Sequence, residues 1–216
     1  DGTVRKLPCT VEDFVFDEID TTQYEQVFAG SNSAFGEVWW FYCSKASNQV
    51  DKYVIWNYQE NLWYTGSLDR STWIDSGTYP LPYATKYDGT NSTLFIHEQG
   101  KNDDGSTLTS FIESGDFDIG DGDDILFVNK LIPDFKNQVG NVNISLKSRY
   151  FPTDTQTTKG PFFYSTSSSK INVRTRGRQI AVRLESNGYN NINNDALDED
   201  WRLGTLRFEV QPDGKR

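Results

Sequence analysis

One stretch limits what this chain can fold into more than any other: Glu37-Val38-Trp39-Trp40-Phe41-Tyr42-Cys43. It is answered after a loop by Lys52-Tyr53-Val54-Ile55-Trp56-Asn57-Tyr58 and then by Leu62-Trp63-Tyr64-Thr65-Gly66. Aromatic and β-branched residues favour strand, and in the first two runs both alternating faces are apolar. An antiparallel strand with two apolar faces must be packed on each side. The expectation is an antiparallel meander lying between two neighbouring sheets, as in a propeller-like blade or the inner layer of a stacked β structure.

Around that meander the chain reads as all-β. Before it, Val11, Phe14, Val15 and Ile19 fall at helical spacing, and Thr10 with Asp13 has the spacing of a capping box, so a short helix is expected there. After it, the run from Arg70 to Asp75 reads as a further strand of the same sheet. Pro80-Leu81-Pro82 then punctuates the chain. Residues 1–85 are expected to form an aromatic-rich, propeller-like meander with an N-terminal helix, and residues 86–216 a β-sandwich-like part or further propeller strands. In the second part Val142, Ile144 and Leu146 alternate with Asn143, Ser145 and Lys147, and Leu206, Phe208 and Val210 with Arg207 and Glu209, the pattern of strands with one wet face. Between Ile171 and Leu184 the apolar phase slips across Gly177, which a bulge there would explain. Residues 187–200 read as a long polar loop.

At 216 residues the chain can bury the core of one large or two small domains. Its 21 Lys+Arg against 31 Asp+Glu give a net charge of −10. That argues against tight nucleic-acid binding, which needs clustered positive charge. No apolar run approaches the roughly 20 residues of a membrane span. The sequence has no Met and opens at Asp1, so a fragment of a longer protein is expected. Cys9 and Cys43 sit in apolar contexts and read as free thiols rather than a disulfide.

Few residues suggest chemistry. Asp116, Asp118, Asp121, Asp123 and Asp124 crowd a Gly/Asp-rich segment that could hold a hard cation, but the twelfth position from Asp116 is Phe127, not the acid of an EF-hand. A turn is the preferred reading. His97 is the only histidine, and no nucleophile elbow accompanies it. Ser67-Leu68-Asp69-Arg70-Ser71-Thr72-Trp73 comes near the Asp-box turn of sialidase-type propellers but lacks its Gly. Asn91 and Asn143 head glycosylation sequons. Lys170, Arg174, Arg176, Arg178 and Arg183 form a basic stretch, and on an extended strand Arg174, Arg176 and Arg178 would share a side unless the bulge turns one away, an array suited to carboxylates on a partner subunit or to a nucleic-acid backbone, with pairing to the chain's own or a neighbour's Asp and Glu the plainer explanation.

Phe35-Gly36-Glu37-Val38-Trp39-Trp40-Phe41-Tyr42, Tyr53-Val54-Ile55-Trp56-Asn57-Tyr58, Ile132-Pro133-Asp134-Phe135, Arg176-Gly177-Arg178-Gln179, Asp200-Trp201-Arg202-Leu203-Gly204 and Pro212-Asp213-Gly214 together resemble the C-terminal half of tailed-bacteriophage structural proteins. These are the propeller-containing tail hub, nozzle or stabilisation proteins that close the DNA exit channel. The resemblance implies no enzyme and no cofactor, a homo-oligomeric ring in the company of other tail and neck proteins, and a place in the virion after assembly in the host cytoplasm. Two other classes fit the residues: a carbohydrate-binding β module that stacks sugars on Trp63, Tyr64 and Trp73, and a phage depolymerase or glycosidase with two carboxylates about 5–10 Å apart across a cleft.

Overall fold

The computed structural model describes residues 2–4, 6–103, 105–120, 122–186 and 199–215. Strand accounts for 54% and helix for 7%, so the chain is all-β, in several antiparallel sheets of which none closes into a barrel. It divides into two compact units, residues 1–99 and 100–216. The boundary expected at 85/86 falls later because the strand just before it pairs with the strand just after it: β6 (Tyr83–Tyr87) with β7 (Ser92–Ile96).

Unit 1 holds the aromatic meander. Strands β1 (Phe28–Asn32), β2 (Glu37–Tyr42), β3 (Lys52–Asn57) and β4 (Leu62–Ser67) form one four-stranded sheet in chain order. The register Val38↔Trp56↔Trp63 and Trp39↔Ile55↔Tyr64 sorts the rings onto opposite faces. On one face Trp40, Tyr42, Val54 and Trp63 pack against Val15 of helix α1 (Glu12–Glu18) and Ile19 just past its end. On the other, Phe41 and Cys43 are buried with Val50 beneath Trp39, Tyr53 and Trp73. Both faces are therefore covered, but one cover is a helix rather than a second sheet. Helix α1 has Val11 at its N-cap and no side-chain cap, so the Thr10 and Asp13 capping box does not form. Strand β5 (Thr72–Ile74) does not continue the meander as expected; it joins β6 and β7 in a separate sheet.

Trp73 reaches the meander because the meander has a notch. A Cβ on Gly30 would stand 2.4 Å from Trp73 Cδ1, so only glycine lets that indole lie on the strand, 5.1 Å from the Trp39 ring. Gly66 does the same for Tyr53, whose hydroxyl would meet a Cβ at 2.2 Å.

Unit 2 opens with the short pair β8 (Asn102–Asp103) and β9 (Ser106–Thr107). Its body is two sheets around one aliphatic core. Strands β10 (Phe111–Glu113), β12 (Val142–Arg149), β13 (Thr157–Tyr164) and β15 (Gln179–Ser186) form the order β10-β15-β12-β13; β11 (Asp124–Val139), β14 (Ile171–Gly177) and β16 (Asp200–Lys215) form β14-β11-β16. Inward positions of both sheets, Leu126, Val128 and Leu131 from one and Ile144, Leu146 and Ile180 from the other, are 0% exposed. The strict buried/half-buried alternation of β12 is the period-two pattern visible in the sequence. The phase slip near Gly177 has a different cause from the bulge expected: β14 and β15 are two strands in two sheets, and the chain crosses between the sheets at Arg178. The polar loop expected at 187–200 lies outside the described residues up to 198.

Candidate functional site

A cleft of about 410 Å³ opens in unit 2 where the edge strands β13 and β14 face each other beneath the segment 149–157. It is the strongest candidate site, since it collects four cations on a chain of net charge −10. Arg149 ends β12, Lys159 lies on β13, and Arg174 and Arg176 lie on β14, whose residues alternate buried and exposed.

These cations differ in how far they are engaged. Arg149 pairs with Asp116, donates to the Gln179 side chain at 2.8 Å and reaches the Pro152 carbonyl at 2.6 Å. Arg176 pairs with Asp213 at 2.6 Å. Lys159 donates to the backbone carbonyl of Arg174. Arg174 has no acidic partner among the described residues, and its side chain is exposed. Asp154 is the one carboxylate in the lining among the described residues, and its Oδ2 accepts from the Phe151 N–H at 2.9 Å.

The inner wall carries Thr175 and Ser148. Thr175 faces inward opposite Val128, is 1% exposed, and its Oγ1 has no hydrogen-bond partner among the described residues. A buried hydroxyl without a partner is unfavourable by about 1–3 kcal/mol and is rare in folded proteins. Neither residue stood out as a site from the sequence, yet a signal was there: each is the polar member of an inward apolar series, Ile171-Val173-Thr175 and Val142-Ile144-Leu146-Ser148.

Of the three arginines expected to share a side unless the chain turns at Gly177, two lie on β14 and the third lies past its end. Arg174 and Arg176 point outward from β14, whereas Arg178, past its end, donates to the Gly122 carbonyl at 3.2 Å and lies over the Phe151 ring at 5.6 Å. The acidic segment is dispersed as well. Asp116 is taken up by Arg149 and Gln156, Asp121 lies outside the described residues, and the turn is closed by the Asp123 N–H on the Gly120 carbonyl at 3.2 Å. Asp118 and Asp123 gather no third ligand: among the described residues no three His, Cys, Asp or Glu side chains cluster as a metal site.

In unit 1, His97 is structural in its contacts. Its Nε2 accepts from Arg70 Nε at 3.0 Å, and its ring lies 4.8 Å from that of Trp73. Arg70 is 4% exposed and lies over the Phe95 ring at 4.1 Å. Asp69, in the segment like an Asp box, pairs with Lys86 and Arg70. Cys9 and Cys43 are both free thiols, and burial pushes the Cys43 thiol up from its ordinary value. Asn143 lies in the middle of its sheet with its amide oxygen buried. Neither a family model nor a curated protein matches the chain.

Proposed function

We propose that this chain is a non-enzymatic structural component of a tailed-bacteriophage tail or neck assembly, one subunit of a ring that lines or closes the DNA exit channel with other tail proteins. The observation that carries the reading is a broad apolar groove on unit 1. Phe16 and Tyr24 stand 60% and 51% exposed around Trp40 and Val54, enclosing about 530 Å³. Leu7 and Val27 extend it, and the charges on its rim, Lys6 and Glu12, neutralise each other at 2.8 Å. An apolar surface of this extent marks a contact face, and a self-neutralised rim suits a permanent neighbour rather than a steered, transient one. The occupant we assign to it is the adjoining tail subunit. The net charge of −10 fits a channel wall, because a repelling wall lets duplex slide where an attracting one holds it.

The competing classes draw less from the geometry. A glycosidase needs two carboxylates facing one cleft; among the described residues the unit 2 cleft is lined by Asp154 alone, and in the smaller pocket of unit 1 that Glu25 and Asp69 both line, Asp69 is taken up by Arg70 and Lys86. Of the three rings of a sugar platform, Trp73 is packed on the meander and donates to the Ser31 carbonyl at 2.7 Å, and Trp63 is stacked between Trp40 and Trp56. Tyr64 alone stands open, at 43%. The test is electron microscopy of the chain expressed with whatever sequence flanks it in its reading frame. Rings are expected, and Phe16→Glu is expected to disperse them; soluble monomers that depolymerise a polysaccharide would sink the proposal.

A further inference from the structure

We infer that two copies of this chain join head to tail, helix α1 of one lying across the outward face of β14 of the next, with Asp13, Phe14 and Asp17 set against Arg174 and Arg176. None of these residues lines the apolar groove, and the contact does not rest on the assembly reading, since two copies can make it in or out of a virion. Charge segregation along the chain points to it. From Leu7 to Ser44 there are seven acidic residues and no Lys or Arg; from Thr155 to Leu184 there are six basic residues and no Asp or Glu. Several of these charges are engaged within the chain: Glu12 by Lys6, Glu18 by Lys52, Arg183 by Glu113 and Glu185, and Arg178 by the Gly122 carbonyl. Asp13 and Asp17 on α1 and Arg174 on β14 are exposed and form no ion pair among the described residues. Arg176 stays 52% exposed beside Asp213 and shares the outward side of Arg174.

The two surfaces also match in spacing. Asp13 and Asp17, four residues apart on a helix, stand about 6 Å apart along its axis. Arg174 and Arg176, two apart on a strand, stand about 7 Å apart along it. Val15 is the buried residue of α1, so Asp13 and Asp17 lie on the outward side, and Phe14, 55% exposed, is the neighbour of Asp17 there. An exposed aromatic ring among charges is the composition of a contact surface. Its counterpart is Phe127, which stands opposite Arg176 in the β11–β14 register and so shares its face, together with Tyr150, 44% exposed. The cleft beside them admits an uncharged ring, whereas Asp154 in its lining repels a free anion of either kind. Lys159 already donates to the Arg174 carbonyl, so the β14 edge is not open to an added strand, and a helix that reads the face through its side chains fits instead. A nucleic-acid backbone is disfavoured by the net charge of −10. Because the two surfaces differ, the contact is heterologous and repeats from copy to copy into a ring or a filament.

The test is sedimentation of the 216-residue chain over a range of concentration and salt. Self-association is expected with Kd of about 100 μM, in keeping with a small contact, and should weaken as salt rises from about 0.05 to about 0.5 M. Asp13→Lys with Asp17→Lys, and separately Arg174→Glu with Arg176→Glu, should each weaken it at least about tenfold. All four changes in one chain should bring it back to within about threefold of the parent, because the charges are then exchanged rather than lost. Phe14→Ser, at an exposed position, should weaken it at least about tenfold with the melting temperature within about 3 °C of the parent. A chain that stays monomeric at about 1 mM, a fourfold variant that associates no better than either pair, or a Phe14→Ser protein that associates as well as the parent would each overturn the inference. So would association that is lost in Phe16→Glu but unchanged by either charge reversal, which would place the contact at the groove, or a duplex DNA that the chain binds through Arg174 in place of its own helix.

Discussion

Units 1 and 2 are both antiparallel β structures, yet they fill their interiors in opposite ways. Unit 1 stacks large rings on a single sheet: Trp39 lies 5.7 Å from Phe41 and 5.1 Å from Trp73, and Trp40 6.0 Å from Trp63. Unit 2 closes two sheets over Leu, Ile and Val, and its inner positions reach 0% exposure. Rings bury much area but pack only where the backbone makes room, so unit 1 depends on the Gly30 and Gly66 notches and leaves an open apolar groove beside α1. Branched aliphatics interdigitate without notches. Imperfection in unit 2 is polar instead, at the strand ends where Ser148 and Thr175 meet the cleft.

The sharpest way to break this contrast is to cut one side chain from each core. Leu131→Ala, at 0% exposure, should destabilise unit 2 by about 3 kcal/mol, whereas Val54→Ala, which borders the open groove of unit 1, should cost less than about half of that in denaturant unfolding followed by hydrogen exchange. Equal losses would mean that the two interiors are packed alike.

Glycine substitution should give the next largest effect, and in the opposite unit. Gly30→Ala forces its Cβ into the Trp73 indole and should cost about 2 kcal/mol. Gly204→Ala in unit 2 meets the Asp134 carbonyl only at 3.4 Å, an ordinary contact, and should stay within about 1 kcal/mol of the parent.

Acid should separate the units more gently. Burial pushes the Asp75 carboxyl up, but it accepts from Ser31 Oγ at 2.7 Å and from the Ser33 and Ser76 N–H groups, and the balance holds it below its ordinary 3.8. A depressed carboxylate contributes stability that is present above the unfolded value and is lost as pH falls through the folded one. Asp75→Asn should therefore cost about 1–2 kcal/mol at pH 7, a gap that narrows as pH falls below the ordinary 3.8 and closes once the folded carboxyl is protonated. A gap independent of pH would show that the carboxylate charge plays no part in tethering β1 to β5.

The smallest effect belongs to the ion pairs of unit 2. Arg183 pairs with Glu185 at 3.0 Å and with Glu113 at 3.1 Å; Arg183 first of all holds Glu185 below the usual range, and Lys147 and then Arg183 do the same for Glu113. These side chains are a quarter to a third exposed, so Glu185→Gln should cost under about 1 kcal/mol and nothing measurable in about 1 M salt.

Much of the fold was legible because it rests on local pattern. The doubly apolar runs at 37–42 and 52–57 are the central strands of the meander, and the alternation from Val142 to Lys147 lies in β12. What misled was tertiary. Nothing local distinguishes a bulge at Gly177 from a crossing between sheets, since both shift the apolar phase by one residue, and only the partner strands decide. The segment Phe28–Asn32 lacks strand composition because it carries Ala29 and Gly30, the second for the sake of Trp73 far along the chain. The site suffered in the same way: three arginines at alternate positions were visible, but not that Arg176 and Arg178 are engaged by Asp213 and Gly122 while Arg174 is left facing a cleft.

The most direct measurement of the proposed role is quantitative mass spectrometry of purified tailed-phage particles whose genome carries this reading frame. On the proposal, peptides of the chain should sediment with such particles in a fixed, multiple-copy ratio to the tail proteins. Their absence from particles, with the protein found free and cleaving a polysaccharide, would contradict a structural role in the tail.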